Sequence, residues 1–197
     1  DRFLDGAPKG KQVLILAGRG HKGGGALVAA RRLINWGATV QVFFSHPPEA
    51  LNEATAQQYR TLAAMGAALL NGEQLPGTFA GELIIDGLIG YRLSGAPHGL
   101  PKSMIEWANR QPAPTLALDT PSGVELSEGQ VFNPAIKARA TLTLALPKKG
   151  LHQEKVQPFR GELYLGDISV PRPLYAHAQL DIKVPNLFTE SDVLRLP

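Results

Sequence analysis

The sequence contains no cysteine among its 197 residues. Disulfide bonds, a cysteine nucleophile and zinc–thiolate sites are therefore excluded. No stretch approaches the roughly 20 consecutive apolar residues that a membrane-spanning helix needs, and we expect no secretory leader. The first residue is Asp1 rather than Met, which leaves open that an N-terminal piece has been removed. We expect a cytoplasmic protein with no membrane partner.

A block of basic residues is also missing. The chain has 20 Lys and Arg against 17 Asp and Glu, a net charge of +3, and basic neighbours occur only as the pairs Arg31-Arg32 and Lys148-Lys149. Proteins that bind nucleic acid usually carry a clustered basic patch. The sequence therefore predicts no nucleic-acid partner, while a small anionic ligand remains compatible with the mild positive charge.

Short apolar runs do alternate with helical patterns along most of the chain. This alternation predicts βαβ units, hence an α/β fold with a mostly parallel sheet, helices on both faces and a single domain over residues 1–197. The predicted strands are residues 13–17, 39–44, 67–70, 82–86, 115–119, 141–145 and 161–165, and the predicted helices are about 25–36, 49–65 and 101–110.

A glycine-rich segment follows the first predicted strand. Gly18-Arg-Gly-His-Lys-Gly23 matches the G-x-G-x-x-G pattern of dinucleotide-binding loops, between a strand and a helix as that pattern requires. The acidic residue expected about 20 positions later to bind a ribose is missing, since nothing acidic appears before Glu49. No Lys-Ser or Lys-Thr completes a P-loop either. Two readings stay open: a phosphate-binding loop, or a tight turn without a ligand.

Two predicted strands end in a carboxylate, Asp86 and Asp119. In open parallel sheets, ligands bind outside the carboxyl ends of the strands. A lone aspartate at a strand end most often only caps a helix or forms a turn. Two of them beside a glycine-rich loop favour a functional crevice on which both acids converge.

Further motifs resemble one family. Asp119-Thr-Pro-Ser-Gly123 is similar to the D-x-P-S-G motif of the NAD(P)H-hydrate epimerases, the YjeF N-terminal domain family. The stretches 141–151, ending in Pro-Lys-Lys-Gly-Leu, and 161–171, containing Gly-Asp-Ile-Ser-Val-Pro, are similar to later motifs of that family. The resemblance covers about residues 13–171.

The resemblance implies a Rossmann-like three-layer αβα sandwich, often dimeric, that interconverts the R and S forms of hydrated NADH and NADPH. This reaction repairs damaged nicotinamide cofactors, and an ADP- or ATP-dependent NAD(P)H-hydrate dehydratase, which takes only the S form, is the implied functional partner. A potassium ion sits in the family's site. By match to the family's motifs, Asp86 and Ser122 are the implied metal ligands, and Asp119 is the substrate-contacting acid.

The implied substrate-binding residues come from two loops. We assign to them, besides Asp119, the following positions: His21, Lys22, Gly23, Gly24, Gly25, Gly90, Tyr91, Arg92, Leu93, Ser94, Gly95 and Ala96.

The first of these loops departs from the family. Where the family reads N-N-G-G-D-G, this chain reads His21-Lys-Gly-Gly-Gly-Ala26, so that a potassium-binding asparagine is replaced by Lys22. One hypothesis is that the Lys22 ammonium pairs with Asp86 and takes the ion's place, because an ammonium beside a carboxylate is favourable whereas an ammonium beside a bound cation is not. The alternative is that Lys22 points to solvent and the ion site is lost. The chain also has only residues 1–11 before its first strand, where the family usually has helices.

Three functions are weighed. The first is epimerisation, with Asp119 as acid and base and Asp86 providing negative charge near the reacting ring. The second is a catalytically silent member that binds a nucleotide or a protein partner. The third, an ordinary NAD-dependent oxidoreductase, is disfavoured because the ribose-binding acid and a Tyr-x-x-x-Lys pair are missing.

Overall fold

The computed structural model describes residues 3–177 and 180–197. Over these residues the chain forms eight strands of one sheet. The strands are β1 (Gln12–Ala17), β2 (Thr39–Phe44), β3 (Ala68–Asn71), β4 (Leu83–Gly87), β5 (Thr115–Leu118), β6 (Ala140–Leu144), β7 (Glu162–Gly166) and β8 (Val193–Leu196). The helices are α1 (His21–Asn35), α2 (Glu53–Ala64), α3 (Gly99–Ala108) and two single turns, α4 (Gln157–Arg160) and α5 (Arg172–Tyr175).

The strand order is β3-β2-β1-β4-β5-β6-β7-β8. Every neighbouring pair is parallel except β7 and β8, which are antiparallel. The predicted α/β class and mostly parallel sheet are therefore confirmed. The chain runs outward in one direction from β1 to β3 and in the other from β4 to β7. The order reverses between β1 and β4, which is where open sheets of this kind bind ligands.

Apolar side chains cover both faces of the sheet, because buried parallel strands need helices on each side. On one face, Leu27 and Ala30 of α1 and Leu62 of α2 pack against the inward side chains of β1, β2 and β4. On the other face, Met104 and Ile105 of α3 pack against the alternate residues of the same strands. The helices on both faces that the alternating pattern predicts are present. No helix among the described residues is long and apolar enough to cross a bilayer.

The boundaries of all three predicted helices differ from the prediction. Helix α3 spans Gly99–Ala108, whereas the prediction was about 101–110. Helix α1 begins at His21, four residues before the predicted start, so Gly23, Gly24 and Gly25 belong to its first two turns and not to a loop. The predicted helix over 49–65 is split into a short 3-10 turn at Pro48–Ala50 and α2. The side chain of Asn52 caps α2 by accepting a hydrogen bond from the Thr55 amide at 2.8 Å. Strand β8 was not predicted.

Candidate functional site

The loop after β1 and the loop after β4 lie side by side at the reversal of strand order. Their contact is so close that glycine is required at both ends of it. A Cβ atom at Gly18 would lie 1.8 Å from the Leu88 carbonyl oxygen, and one at Gly87 would lie 2.4 Å from the Ala26 Cβ. The first turn of α1 is thus held directly on the end of β4.

The glycines of α1 divide into two groups. Gly23 and Gly24 are buried and packed: a Cβ at Gly23 would lie 1.9 Å from the Gly18 carbonyl oxygen, and one at Gly24 would lie 3.0 Å from the Thr55 hydroxyl. Gly25 faces open space. The two packed glycines allow close contact, Gly23 with the main chain of Gly18 and Gly24 with Thr55.

Asp86 ends β4 and is completely buried. Its Oδ1 accepts hydrogen bonds from the Ser122 hydroxyl at 2.6 Å and the Leu88 amide at 3.1 Å. Its Oδ2 accepts from the Ser122 amide at 2.8 Å and from the Lys22 ammonium at 2.8 Å. A buried carboxylate is stable only when it is paired and hydrogen-bonded, and both conditions hold here.

The Lys22 side chain is the ionic partner of Asp86. It is 4% exposed, and its Nζ also donates to the Ser122 hydroxyl at 2.9 Å and to the carbonyls of Thr120 at 2.7 Å and Ile89 at 3.2 Å. Burial lowers the pKa of Lys22 from its ordinary value, while the charge of Asp86 acts in the opposite direction. Lys22 points inward, as in the first of the two hypotheses, and not to solvent.

The two strand-end acids do not open onto one crevice, as the sequence led us to expect. Asp86 is enclosed beneath Lys22, whereas the Asp119 side chain is 21% exposed. The charge of Asp119 nevertheless acts, together with that of Asp86, to raise the pKa of Lys22 against the effect of burial. The expectation of a shared opening is therefore wrong, since the lysine side chain fills the space next to Asp86.

Asp119 follows β5 with a backbone φ of +61°. Its Oδ1 pairs with the Lys148 ammonium at 3.0 Å and accepts a weak hydrogen bond from the Thr143 hydroxyl at 3.4 Å. Within the described parts of the chain, its Oδ2 has no protein partner. This oxygen is available to exchange a proton with a bound molecule. Sequence reasoning missed the pairing with Lys148, whose place in the Pro-Lys-Lys-Gly-Leu motif was the available signal.

The second predicted substrate loop runs from β4 to α3 without regular structure. Gly90 packs on the aliphatic part of Lys22, since a Cβ there would lie 3.3 Å from the Lys22 Cβ. The Arg92 guanidinium lies 5.7 Å from the centre of the Tyr91 ring and donates to its hydroxyl at 3.2 Å. The loop is open to solvent over much of its length. Its exposed members are Tyr91, Arg92, Ser94 and Ala96, while Leu93 and Gly95 are half-buried. His21, the predicted substrate-binding residue at the start of α1, is also exposed.

A bound potassium ion does not fit the site beside this lysine. The oxygens of Asp86 and Ser122, the two implied ligands, are both within 2.9 Å of the Lys22 Nζ. An ion bound to those oxygens would occupy the volume of the ammonium and repel its charge.

Comparison with known proteins gives concordant results. Residues 2–150 match the family model described as YjeF-related protein N-terminus. Over 178 residues the chain is 37% identical to the NAD(P)H-hydrate epimerase of Dehalogenimonas lykanthroporepellens, covering 90% of this chain and 70% of that protein. It is 34% identical to the NAD(P)H-hydrate epimerase of Lentilactobacillus buchneri, covering 81% of this chain and 74% of that protein.

Longer relatives match over a smaller part of their length. The Bifunctional NAD(P)H-hydrate repair enzyme Nnr of Moorella thermoacetica is 36% identical over 89% of this chain, but this chain spans only 34% of that enzyme. The fold is similar to that of the yeast protein ynu0, with a TM-score of 0.76 over 97% of this chain and 79% of that one, at 24% identity.

Proposed function

The chain belongs to the YjeF-related N-terminal family of NAD(P)H-hydrate epimerases, and we propose on this basis that it interconverts the R and S forms of hydrated NADH and NADPH. The reaction is an isomerisation that repairs damaged nicotinamide cofactors. The observation that carries the proposal is the 37% identity to an epimerase of which this chain spans 70%. A partly exposed carboxylate, Asp119, at the end of β5, the strand that pairs with β4, is consistent with it.

The chemistry requires one proton-transfer group. Hydrated nicotinamide carries a hydroxyl on C6, next to the ring nitrogen N1. Protonation of that hydroxyl lets it leave as water, because the N1 lone pair stabilises the cation that remains. Water then adds to the opposite face and loses a proton, which inverts the centre. A single side chain that first gives and then takes the proton is sufficient.

Asp119 fits this role by its geometry. Lys148 and Thr143 hold Oδ1, so that Oδ2 is directed by two fixed contacts and has no competing partner among the described residues. A positioned carboxyl group can protonate the leaving hydroxyl and, once ionised, stabilise the cationic ring and accept the proton of the entering water. Lys148 is in this mechanism a positioning residue.

Asp86 takes a different role from the one that the sequence suggested. Its charge is buried and offset by Lys22, and each of its oxygens already accepts two hydrogen bonds. We assign to it the structural task of holding Lys22 and Ser122, and leave to Asp119 the negative charge that faces the reacting ring. The largely exposed loop of residues 90–96 and the exposed residues His21 and Gly25 of α1 are the surfaces that we propose for the rest of the dinucleotide.

A dehydratase specific for the S form is the proposed functional partner. The bifunctional name of the Moorella enzyme supports this, since that enzyme is called a repair enzyme and this chain matches only 34% of its length. A homodimer, implied by the family resemblance, is part of the proposal and is testable by light scattering. A cytoplasmic location likewise remains a prediction.

A coupled assay tests the proposed function. Purified R-form hydrated NADH is incubated with an S-specific dehydratase, with and without this protein. The proposal predicts that the protein raises the rate of clearance in proportion to its concentration. Clearance no faster than with the dehydratase alone, in a preparation that binds a nicotinamide dinucleotide, would instead support a catalytically silent family member, the alternative that the altered loop at Lys22 raises.

A further inference from the structure

Four oxygen atoms surround the Nζ of Lys22. They belong to Asp86, Ser122, Thr120 and Ile89, at 2.8, 2.9, 2.7 and 3.2 Å. A lysine ammonium has three N–H donors, one fewer than the oxygens around it. A shell with more acceptors than donors, composed of a carboxylate, a hydroxyl and two carbonyls, is of the kind that coordinates a hard spherical cation.

The shell is built by three separate parts of the chain. Asp86 ends β4, Ile89 lies in the loop that follows it, and Thr120 and Ser122 lie in the loop after β5. Lys22 reaches them from the first turn of α1. The Ser122 hydroxyl donates to Asp86 and accepts from the Ile89 amide at 2.8 Å, so it is fixed independently of Lys22. The oxygen shell is therefore organised by contacts that do not require the lysine.

The lysine side chain is confined by its surroundings. It is 4% exposed, and its aliphatic part packs against Gly90, where even a methyl group would lie 3.3 Å from the Lys22 Cβ. Asp86, at 0% exposure, needs a cation beside it, because a buried carboxylate without one is strongly unfavourable. Charge balance and shape together hold the ammonium in the shell.

We infer that Lys22 is a built-in cation that replaces a dissociable potassium ion, so that this chain folds and functions without monovalent metal. The inference concerns the same site as the proposed function. Its test is one of stability, so that its failure and a failure of the epimerase activity are told apart. The inference also predicts a substitution that restores a potassium site. Lys22→Asn removes the ammonium, supplies an amide oxygen and leaves the oxygen shell free to bind an ion.

The experiment measures the melting temperature of the whole chain against increasing potassium chloride, with sodium and choline chloride at equal ionic strength. Wild type should show no potassium-specific change. In sodium or choline, K22N should melt roughly 6 to 20 °C lower, because Asp86 has lost its partner. Potassium should restore much of the loss in a saturable manner, since a ligand that binds only the folded state stabilises it.

Lys102→Asn is the matched control. Lys102 is 51% exposed and pairs with Glu106 on the surface of α3, at 3.9 Å. Its substitution changes the net charge by the same amount, but should leave the melting temperature nearly unchanged and insensitive to potassium.

Two results would overturn the inference. A saturable, potassium-specific rise in the melting temperature of wild type would show that an ion binds beside Lys22. A folded K22N protein whose melting temperature ignores potassium would show that the oxygen shell is not a cation site. If K22N is unfolded in sodium, recovery of its fold in potassium supports the inference. In that case a potassium-specific rise in the melting temperature of wild type would still overturn it.

Discussion

Asp119 combines a functional side chain with an unusual backbone conformation. Its φ of +61° lies in the left-handed region, which most residues avoid and which aspartate and asparagine tolerate best after glycine. The turn after β5 aims the carboxylate back toward Lys148 and Thr143. The residue type at this position is therefore constrained twice, by the backbone and by the proposed chemistry.

Asp119→Asn separates these two constraints. Asparagine tolerates the same backbone and keeps the size of the side chain, but it cannot give and take a proton. We expect the epimerisation rate to fall by at least about 100-fold, with a loss of stability of no more than about 1 kcal/mol from the partly exposed ion pair. The rate is measured with purified R-form hydrated NADH, and stability by thermal unfolding.

Asp5→Asn is the control for that substitution. Asp5 also has a positive φ, of 52°, and also pairs with a lysine, Lys11 at 3.2 Å, but its side chain is 84% exposed and lies before β1. This variant should retain the activity of wild type. A D119N protein that epimerises at a near-normal rate would remove Asp119 from the mechanism.

The sequence shows which charged residues the site contains, but not which of them are buried and which face solvent. The placement of Asp86 and Asp119 at strand ends follows from the strand pattern, and the departure at Lys22 suggested an ion pair with Asp86. Which acid is enclosed depends on the distance between α1 and β4, which is set by close packing at Gly18 and Gly87. Such three-dimensional contacts are not encoded in local spacing. This is why a shared opening for both acids was expected and is not present.

At the scale of elements, the junction of β1 and α1 determines the site. The start of α1 at His21 brings Lys22 into the helix, with its side chain directed at the end of β4. The prediction placed this start at about residue 25, because the apolar helical spacing begins at Ala26 and the glycines before it, which are poor helix formers, were assigned to the loop. At Gly23 and Gly24 the gain from close packing outweighs that intrinsic preference. The predicted start of α1 is therefore wrong, because close packing of Gly23 and Gly24, and not helix propensity, determines where this helix begins.

Two glycine-to-alanine substitutions two residues apart test this explanation. At Gly23 the added methyl group would meet the Gly18 carbonyl oxygen at 1.9 Å, so the backbone must move. We expect Gly23→Ala to cost about 1–3 kcal/mol or more. At Gly25 nothing lies within 4 Å, and Gly25→Ala should stabilise the chain by up to about 1 kcal/mol, as alanine does in a helix interior.

Chemical denaturation of the two variants provides the measurement. Opposite signs are expected for the two substitutions, although both replace a glycine of the same helix. Equal effects, or a stabilising Gly23→Ala, would show that the glycines at this junction are not required for packing.

The remaining elements show the same division between local and long-range information. Strand β2 was predicted to the residue, because its β-branched and aromatic side chains give a local signal. Strand β8 was missed: it is an antiparallel edge strand of four residues, half-buried or exposed, and its pairing with β7 is a contact between distant parts of the chain. Short edge strands carry little pattern of their own.

At the scale of the whole molecule, the sheet order explains why the site forms where it does. Strands β1 and β4 are neighbours although two strands and two helices separate them in sequence. Their connections leave in opposite directions, which opens the edge of the sheet between the loops that follow them. The alternation of strands and helices predicted the class of fold, and the family motifs predicted the function now proposed. The order of the strands depends on pairings that the sequence alone does not reveal.

We propose that this fold epimerises hydrated nicotinamide cofactors with the Lys22 ammonium as its own cation. The decisive experiment follows, by chromatography, the approach of pure R-form hydrated NADH to its R/S equilibrium in sodium buffer free of potassium and in potassium buffer. Wild type should accelerate this approach in proportion to its concentration, equally in both buffers. A rate equal to that of buffer alone, or acceleration that appears only with potassium, would contradict it.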